Sequence, residues 1–228
     1  MEPKESAWKD VVIPMKVNLD GSLPGDHDSD PDYDIITRAI EAIPAGKIGM
    51  TCEIGLRKGG TSGYIMDALA KGIFPYKVHV AVDPFGNIVY AEREGLDRKL
   101  NYTNQMRDKY IGPIYLYAME REINFIFLNL EDTEFFDRYG DGVPVYSENK
   151  HILNEYIFAH IDGPHQYFPV RNEFHWFDDR MSSGATIVFD DIASYDHEVL
   201  EAEILVRGWK LLEKHTEPYD GKASYQKI

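Results

Sequence analysis

From residue 49 onward, short and nearly continuous apolar runs recur along the chain: GMTCEIG at 49–55, VHVAVDP at 78–84, NFIFLNL at 124–130, EYIFAHIDG at 155–163 and GATIVFDD at 184–191. Runs of this length, apolar at successive rather than alternate positions, suit strands covered on both faces of a mainly parallel sheet. The stretches 61–71, 103–121 and 167–181 between them read as helices. Strand and helix in alternation predict an α/β domain with a doubly wound sheet. The last two segments, WKLLEKHT and ASYQKI, are separated by the turn-rich EPYDGK and predict an antiparallel C-terminal hairpin.

Upstream of this series the pattern changes. Residues 1–34 are polar and rich in turn formers, and DHDSDPDYD sets Asp26, Asp28, Asp30, Asp32 and Asp34 at alternate positions. The glycine and terminal glutamate spacing of a helix–loop–helix calcium site is missing, so a solvated loop is expected. Asp34 is expected near the N-cap of a helix over 35–43 that stops at Pro44 and Gly46. The chain thus divides into a polar segment, 1–34, that is a candidate active-site cover, and one domain, 35–228.

The most informative stretch is GMTCEIGLRKGGTSG at 49–63. Here a strand runs through Glu53 into a glycine-dense turn and then into a helix. Glycines allow close approach of backbone N–H groups to a polar ligand, and a helix N-terminus favours negative charge. Cys52, inside the strand, reads as a buried packing residue; as the single cysteine of the chain it excludes an internal disulfide.

Composition narrows the partners. A net charge of −15, with no run of five or more basic residues, argues against tracking along a phosphate backbone, so no nucleic acid is expected. No apolar run reaches about 18 residues and the N-terminal residues lack a signal-peptide pattern, so a cytoplasmic protein with no membrane partner is expected. Whether it forms a homo-oligomer is not legible.

Acidic residues stand at or just past the predicted strand ends: Glu53, Asp83, Asp132, Asp162 and the pair Asp190 and Asp191. Ligands of open α/β sheets gather outside those ends, and a carboxylate beyond the second strand can accept both ribose hydroxyls of a nucleotide. Taken with CEIGLRKGGTSG, AVDPFG, IDGPHQY and IVFDDI in that order, the chain resembles a class I S-adenosylmethionine-dependent methyltransferase over about residues 35–228. It is most similar to the metal-dependent O-methyltransferases, both catechol O-methyltransferase-like enzymes and those that methylate antibiotic sugars.

The resemblance implies a single-domain Rossmann-like fold and methyl transfer from S-adenosylmethionine to a hydroxyl oxygen of a small-molecule acceptor. It places Glu53, Gly55 and Gly59 at the methionine end of the cofactor, with Thr61 or Ser62 offering a hydroxyl to its carboxylate. It also places Asp83 at the ribose and Asp132 near the adenine. Asp162, Asp190 and Asp191 become ligands of a divalent cation, with magnesium suited to such hard oxygen donors. Adjacent strand residues point to opposite faces, so Asp190 and Asp191 can share an ion only if the chain turns there. His165, three residues past Asp162, stands where the catechol enzymes carry their lysine base; a role as a helix cap competes with it. His160 within its strand, and Trp176 with Phe174 and Phe177, read as packing.

Three other readings stay open. One is a metal-independent methyltransferase. A second is an NAD-dependent oxidoreductase, weakened because Leu56, Arg57 and Lys58 separate Gly55 from Gly59 where Gly-x-Gly-x-x-Gly is needed. The third is a non-catalytic cofactor-binding protein on the same fold.

Overall fold

The computed structural model describes residues 33–86, 88–91, 99–216 and 221–228, with the backbone alone described at 88–91 and 99–101. The polar segment 1–34 and its aspartate series therefore lie outside the described residues, apart from Tyr33 and Asp34.

A seven-stranded sheet is built from β1 (Met50–Ile54), β2 (Val78–Val82), β5 (Asn124–Leu128), β8 (Tyr156–Ile161), β9 (Met181–Phe189), β10 (Trp209–His215) and β11 (Lys222–Lys227). Their order across the sheet is β10-β11-β9-β8-β1-β2-β5. The pairs β1–β2, β1–β8, β2–β5 and β8–β9 are parallel, whereas β11 runs antiparallel between β9 and β10. Each predicted strand is present, and so is the C-terminal hairpin. The fold is the doubly wound α/β architecture expected.

Two apolar layers hold helices on opposite faces. On one, Ile35, Ile36 and Ile40 of α1 (Asp34–Glu41), Ile65, Met66 and Leu69 of α2 (Gly60–Lys71) and Ile114 and Tyr117 of α3 (Asn104–Glu120) share a cluster. On the other, Phe135 of α4 (Asp132–Arg138), Phe174 and Phe177 of α5 (Tyr167–Asp178) and Leu200 and Ile204 of α6 (His197–Val206) do the same. With both faces covered, strands β1, β2 and β8 are buried throughout, which is why their sequences are apolar at successive positions.

The local structure adds detail to these expectations. Asp34 lies beside the N-cap of α1, as expected: it is the first helical residue, the cap is Tyr33, and no side-chain cap hydrogen bond is made. The segment 138–153 holds a hairpin of β6 (Val143–Tyr146) and β7 (Lys150–Leu153), and a second hairpin pairs β3 (Ile88–Ala91) with β4 (Lys99–Tyr102). Trp176 packs as expected, stacked at 4.7 Å on Phe136. Cys52 is fully buried, and burial pushes its thiol well up. No helix among the described residues is long and apolar enough to cross a membrane.

Candidate active site

The strand order turns back beside β1, whose neighbours are β2 on one side and β8 on the other. Such a switch point leaves a crevice beyond the carboxyl ends of the strands. Gly55 leaves β1 with φ +94°, and a Cβ there would stand 2.1 Å from the Asp162 carbonyl oxygen. Gly59, with φ +83°, caps α2, and a Cβ on it would meet Ile114 at 2.4 Å. The spacing of these glycines thus serves protein packing as well as any ligand: it lets the ends of β1 and β8 close together and seats α3 on the loop.

Around the loop, two buried carboxylates each keep an oxygen without a hydrogen-bond partner among the described residues. Asp83 follows β2; its Oδ2 accepts from the Arg57 N–H at 2.8 Å, while its Oδ1 has no partner. Burial raises the Asp83 carboxyl to about 7, against the opposing Arg57 bond. Glu53 is likewise fully buried: its Oε2 is bonded by the Ser62 hydroxyl, and its Oε1 is unpartnered. Buried acceptors left open are costly unless something else donates to them. Ribose hydroxyls and an ammonium group are donors of the required kind, so these residues fit S-adenosylmethionine.

Two of the residues expected at the cofactor are engaged elsewhere. Ser62 is fully buried, and its hydroxyl is spent on Glu53 and His79. Thr61, the second residue of α2, is nearly buried as well. Asp132 opens α4, and its carboxylate acts on Glu173 of α5, in the opposite helical layer from α2. Burial first, then Asp132, pushes the Glu173 carboxyl well above the usual range. Near the end of β5 the sequence reading passed over Asn129, whose amide donates to the Phe85 carbonyl at 2.8 Å and ties that edge to the loop after β2.

A second cluster lies at the ends of β8 and β9. Asp162, His165 and Asp191 offer ligand atoms that lie within 4.8 Å of one another. His165 Nε2 is 3.2 Å from Asp162 Oδ1, and its Nδ1 is 3.0 Å from Asp191 Oδ2. The turn required to bring Asp191 here exists: Asp191 has φ +49° and starts a 3-10 turn over Ile192–Ser194. Asp190, expected in the same set, instead bonds Lys222 at 2.6 Å and sits 3.3 Å from His160. His165 is not a helix cap, since the cap of α5 is Gln166.

Charge follows this arrangement. Burial raises the Asp162 carboxyl to about 6, helped by the charge on Asp190 and opposed by His165. Burial works against a charged His165, but its hydrogen bonds to Asp162 and Asp191 outweigh that and lift it to about 10. Asp190 resists its own burial through His160 and Lys222, which hold it well below the usual range. His160 is a packed core histidine as read, with its charged form favoured by Asp190 despite full burial. Two carboxylates and an imidazole, open enough for further ligands, are a donor set that fits a divalent cation.

Fold and crevice together define a class I S-adenosylmethionine-dependent methyltransferase. The sequence profile of the methyltransferase-domain family matches residues 52–192, more than half of the chain, and the protein belongs to that family. No curated protein sequence matches it. Among solved structures, the calicheamicin methyltransferase CalS11 is similar at TM-score 0.57 and 11% identity, over 86% of this chain and 77% of that one. An O-methyltransferase from Bacillus cereus, determined with SAH, gives TM-score 0.53 and 15% identity over 96% and 94%. The C-terminal domain of precorrin-6Y C5,15-methyltransferase from Rhodobacter capsulatus gives 0.51 and 9% over 92% and 96%. At such identities the likeness is one of fold.

Proposed function

We propose that the protein transfers the methyl group of S-adenosylmethionine to a hydroxyl oxygen of a small-molecule acceptor, with a divalent cation such as magnesium held by Asp162 and Asp191. The observation that carries this reading is the Asp162, His165, Asp191 cluster beside the Gly55 crevice. Bound S-adenosylmethionine supplies an activated methyl on a good leaving group, and a bound cation lowers the pKa of a coordinated hydroxyl. The chain has the remaining tasks. Asp83 and Glu53 receive the ribose and the methionine ammonium, while the crevice aligns acceptor oxygen, methyl carbon and sulfur, for which positioning contributes up to roughly 7 to 11 kcal/mol.

In this reading His165 handles the acceptor's proton. While both flanking carboxylates carry their charge, it keeps its own proton; once that charge is neutralised, its ring nitrogens become available as a base. Asp190, held in its charged form by His160 and Lys222, acts on Asp162 from behind rather than as a further ligand. A hydroxyl acceptor accords with the fold neighbours that are O-methyltransferases, one of them described as a TDP-rhamnose 3'-O-methyltransferase. A neighbour that is a precorrin C5,15-methyltransferase makes the acceptor assay decisive.

Calorimetry with S-adenosylhomocysteine tests the first half: binding is expected, and none at millimolar ligand would sink the cofactor reading. Methyl transfer to panels of hydroxylated sugars and phenols, with magnesium and with a chelator, tests the rest. Turnover that is indifferent to chelation and unchanged in Asp162→Asn would discard the cation.

A further inference from the structure

Beneath the cofactor loop a line of polar side chains joins Glu53 to Ser62, His79 and Thr51, of which only Glu53 has a task in the proposed reaction. Thr51 of β1 and His79 of β2 face each other in the parallel register, and with Glu53 and Ser62 they are fully buried. The Thr51 hydroxyl donates to the Val78 carbonyl at 3.2 Å, and its oxygen lies 3.0 Å from His79 Nδ1. His79 Nε2 lies 3.0 Å from Ser62 Oγ, which is in turn bonded to Glu53 Oε2. At the end of the line, Glu53 Oε1 is buried with no partner among the described residues.

Counting protons constrains this line. With the Thr51 hydroxyl proton on the Val78 carbonyl, His79 Nδ1 is the donor to Thr51. Two contacts remain, Nε2 with Ser62 and Ser62 with Glu53, and Ser62 brings one proton to share between them. A neutral His79 beside a charged Glu53 would leave one contact between two acceptors. With Thr51 and His79 arranged in that way, the line holds one further proton. Either it sits on Nε2, with Ser62 donating to a charged Glu53, or it sits on Glu53, which donates to Ser62 while Ser62 donates to Nε2.

We propose that His79 is a positioning residue for cofactor capture: acting through Ser62, it orients Glu53 and takes up the proton that Glu53 releases when the methionine ammonium of the ligand reaches Oε1. The inference rests on the S-adenosylmethionine reading. Without ligand, the neutral arrangement avoids two buried charges. With an ammonium at Oε1, the Glu53 proton passes from Oε2 to Ser62 Oγ as the Ser62 proton passes to Nε2. One O–H bond breaks and one N–H bond forms overall, with no proton drawn from water. Cys52, Asp83 and His160 are other ionisable groups that feel the charge of Glu53.

Two ligands separate this role from a merely structural one. S-adenosylhomocysteine carries the amino acid end, and 5'-methylthioadenosine lacks it. In His79→Phe, affinity for S-adenosylhomocysteine is expected to fall about tenfold or more, the worth of a hydrogen bond to a charged group, while methylthioadenosine binding stays unchanged. Equal loss for both, or loss for neither, overturns the proposal. Nitrogen-15 spectra of the wild-type imidazole give a second readout that does not depend on the variant folding: Nε2 should change from acceptor to protonated on adding S-adenosylhomocysteine, and an unchanged signal overturns the proton transfer. Wild-type protein that binds neither compound refutes the cofactor reading itself and removes the basis of this one.

Discussion

The Asp162 carbonyl oxygen occupies the space that a side chain on Gly55 would need, 2.1 Å from where its Cβ would fall. The two residues end adjacent parallel strands, and the Asp162 N–H donates to the Ile54 carbonyl at 3.0 Å, so the approach is fixed by backbone on both sides. One residue lies in the glycine loop after β1 and the other in the Asp162, His165, Asp191 cluster. The two halves of the site are held together by a missing methyl group.

Gly55→Ala is therefore expected to cost more than an ordinary loop substitution, because neither backbone can move without breaking the sheet end. A loss of about 3 kcal/mol or more in urea denaturation is the expected outcome. Gly208→Ala is the matched control: its φ is +84° but nothing lies within 4 Å, so only the backbone strain of about 1 kcal/mol applies. Equal losses in the two variants would mean that the close approach carries no energy.

Asp83 leads to a pH dependence of cofactor binding. Its carboxyl, raised to about 7 by burial, must be charged to accept both ribose hydroxyls. Affinity for S-adenosylhomocysteine should rise with pH through that value and level off above about pH 8. Calorimetry over this range checks it. Asp83→Asn should bind more weakly and lose the slope; a slope that survives in the variant belongs to another group.

His165 leads to a pH dependence of stability. Its folded value of about 10 lies above the ordinary histidine value of roughly 6.5, so its contribution is fully present below the latter and is lost as pH rises through the former. Wild type should exceed His165→Asn in stability by roughly 1–2 kcal/mol near pH 6 and by little near pH 10.5, after discounting for partial exposure. Denaturation curves at the two ends measure it, and a difference that grows toward alkaline pH would reverse the assignment.

Lys222→Met should be the most damaging of the charge substitutions. It leaves buried Asp190 with His160 and the Asp191 N–H but without its lysine, and removing one partner of a buried pair typically costs about 3–5 kcal/mol. The double variant Asp190→Asn/Lys222→Met should recover part of that loss. If the single and double variants unfold at the same urea concentration, the pair is not what stabilises this corner.

The sheet was legible because its strands are covered on both faces. Cys52, Val80 and Ala159 sit at neighbouring register positions deep in the molecule, and burial on both sides writes itself into sequence as unbroken apolar runs. The β6–β7 hairpin was not legible in the same way: only Val143 and Val145 are buried, and Pro144 and the exposed Tyr146 mask the alternation. Asp83 stood out at a strand end, where position alone predicts a ligand. The exchange of Asp190 for His165 was hidden because it depends on Lys222, a residue 32 positions away whose approach is set by strand pairing. His79 was hidden for a related reason: nothing in VHVAV shows that Ser62 will be its neighbour.

The antiparallel insertion of β11 between β9 and β10 also orders the assembly of the site. Lys222 opens that strand, so Asp190 lacks its cation until β11 has docked beside β9. The parallel strands and the cofactor loop can collapse first, but the acidic end must stay open to water until this long-range pairing forms, since an unneutralised carboxylate resists burial. Refolding followed by two probes should then be ordered in time, with closure of the acidic pocket the later event.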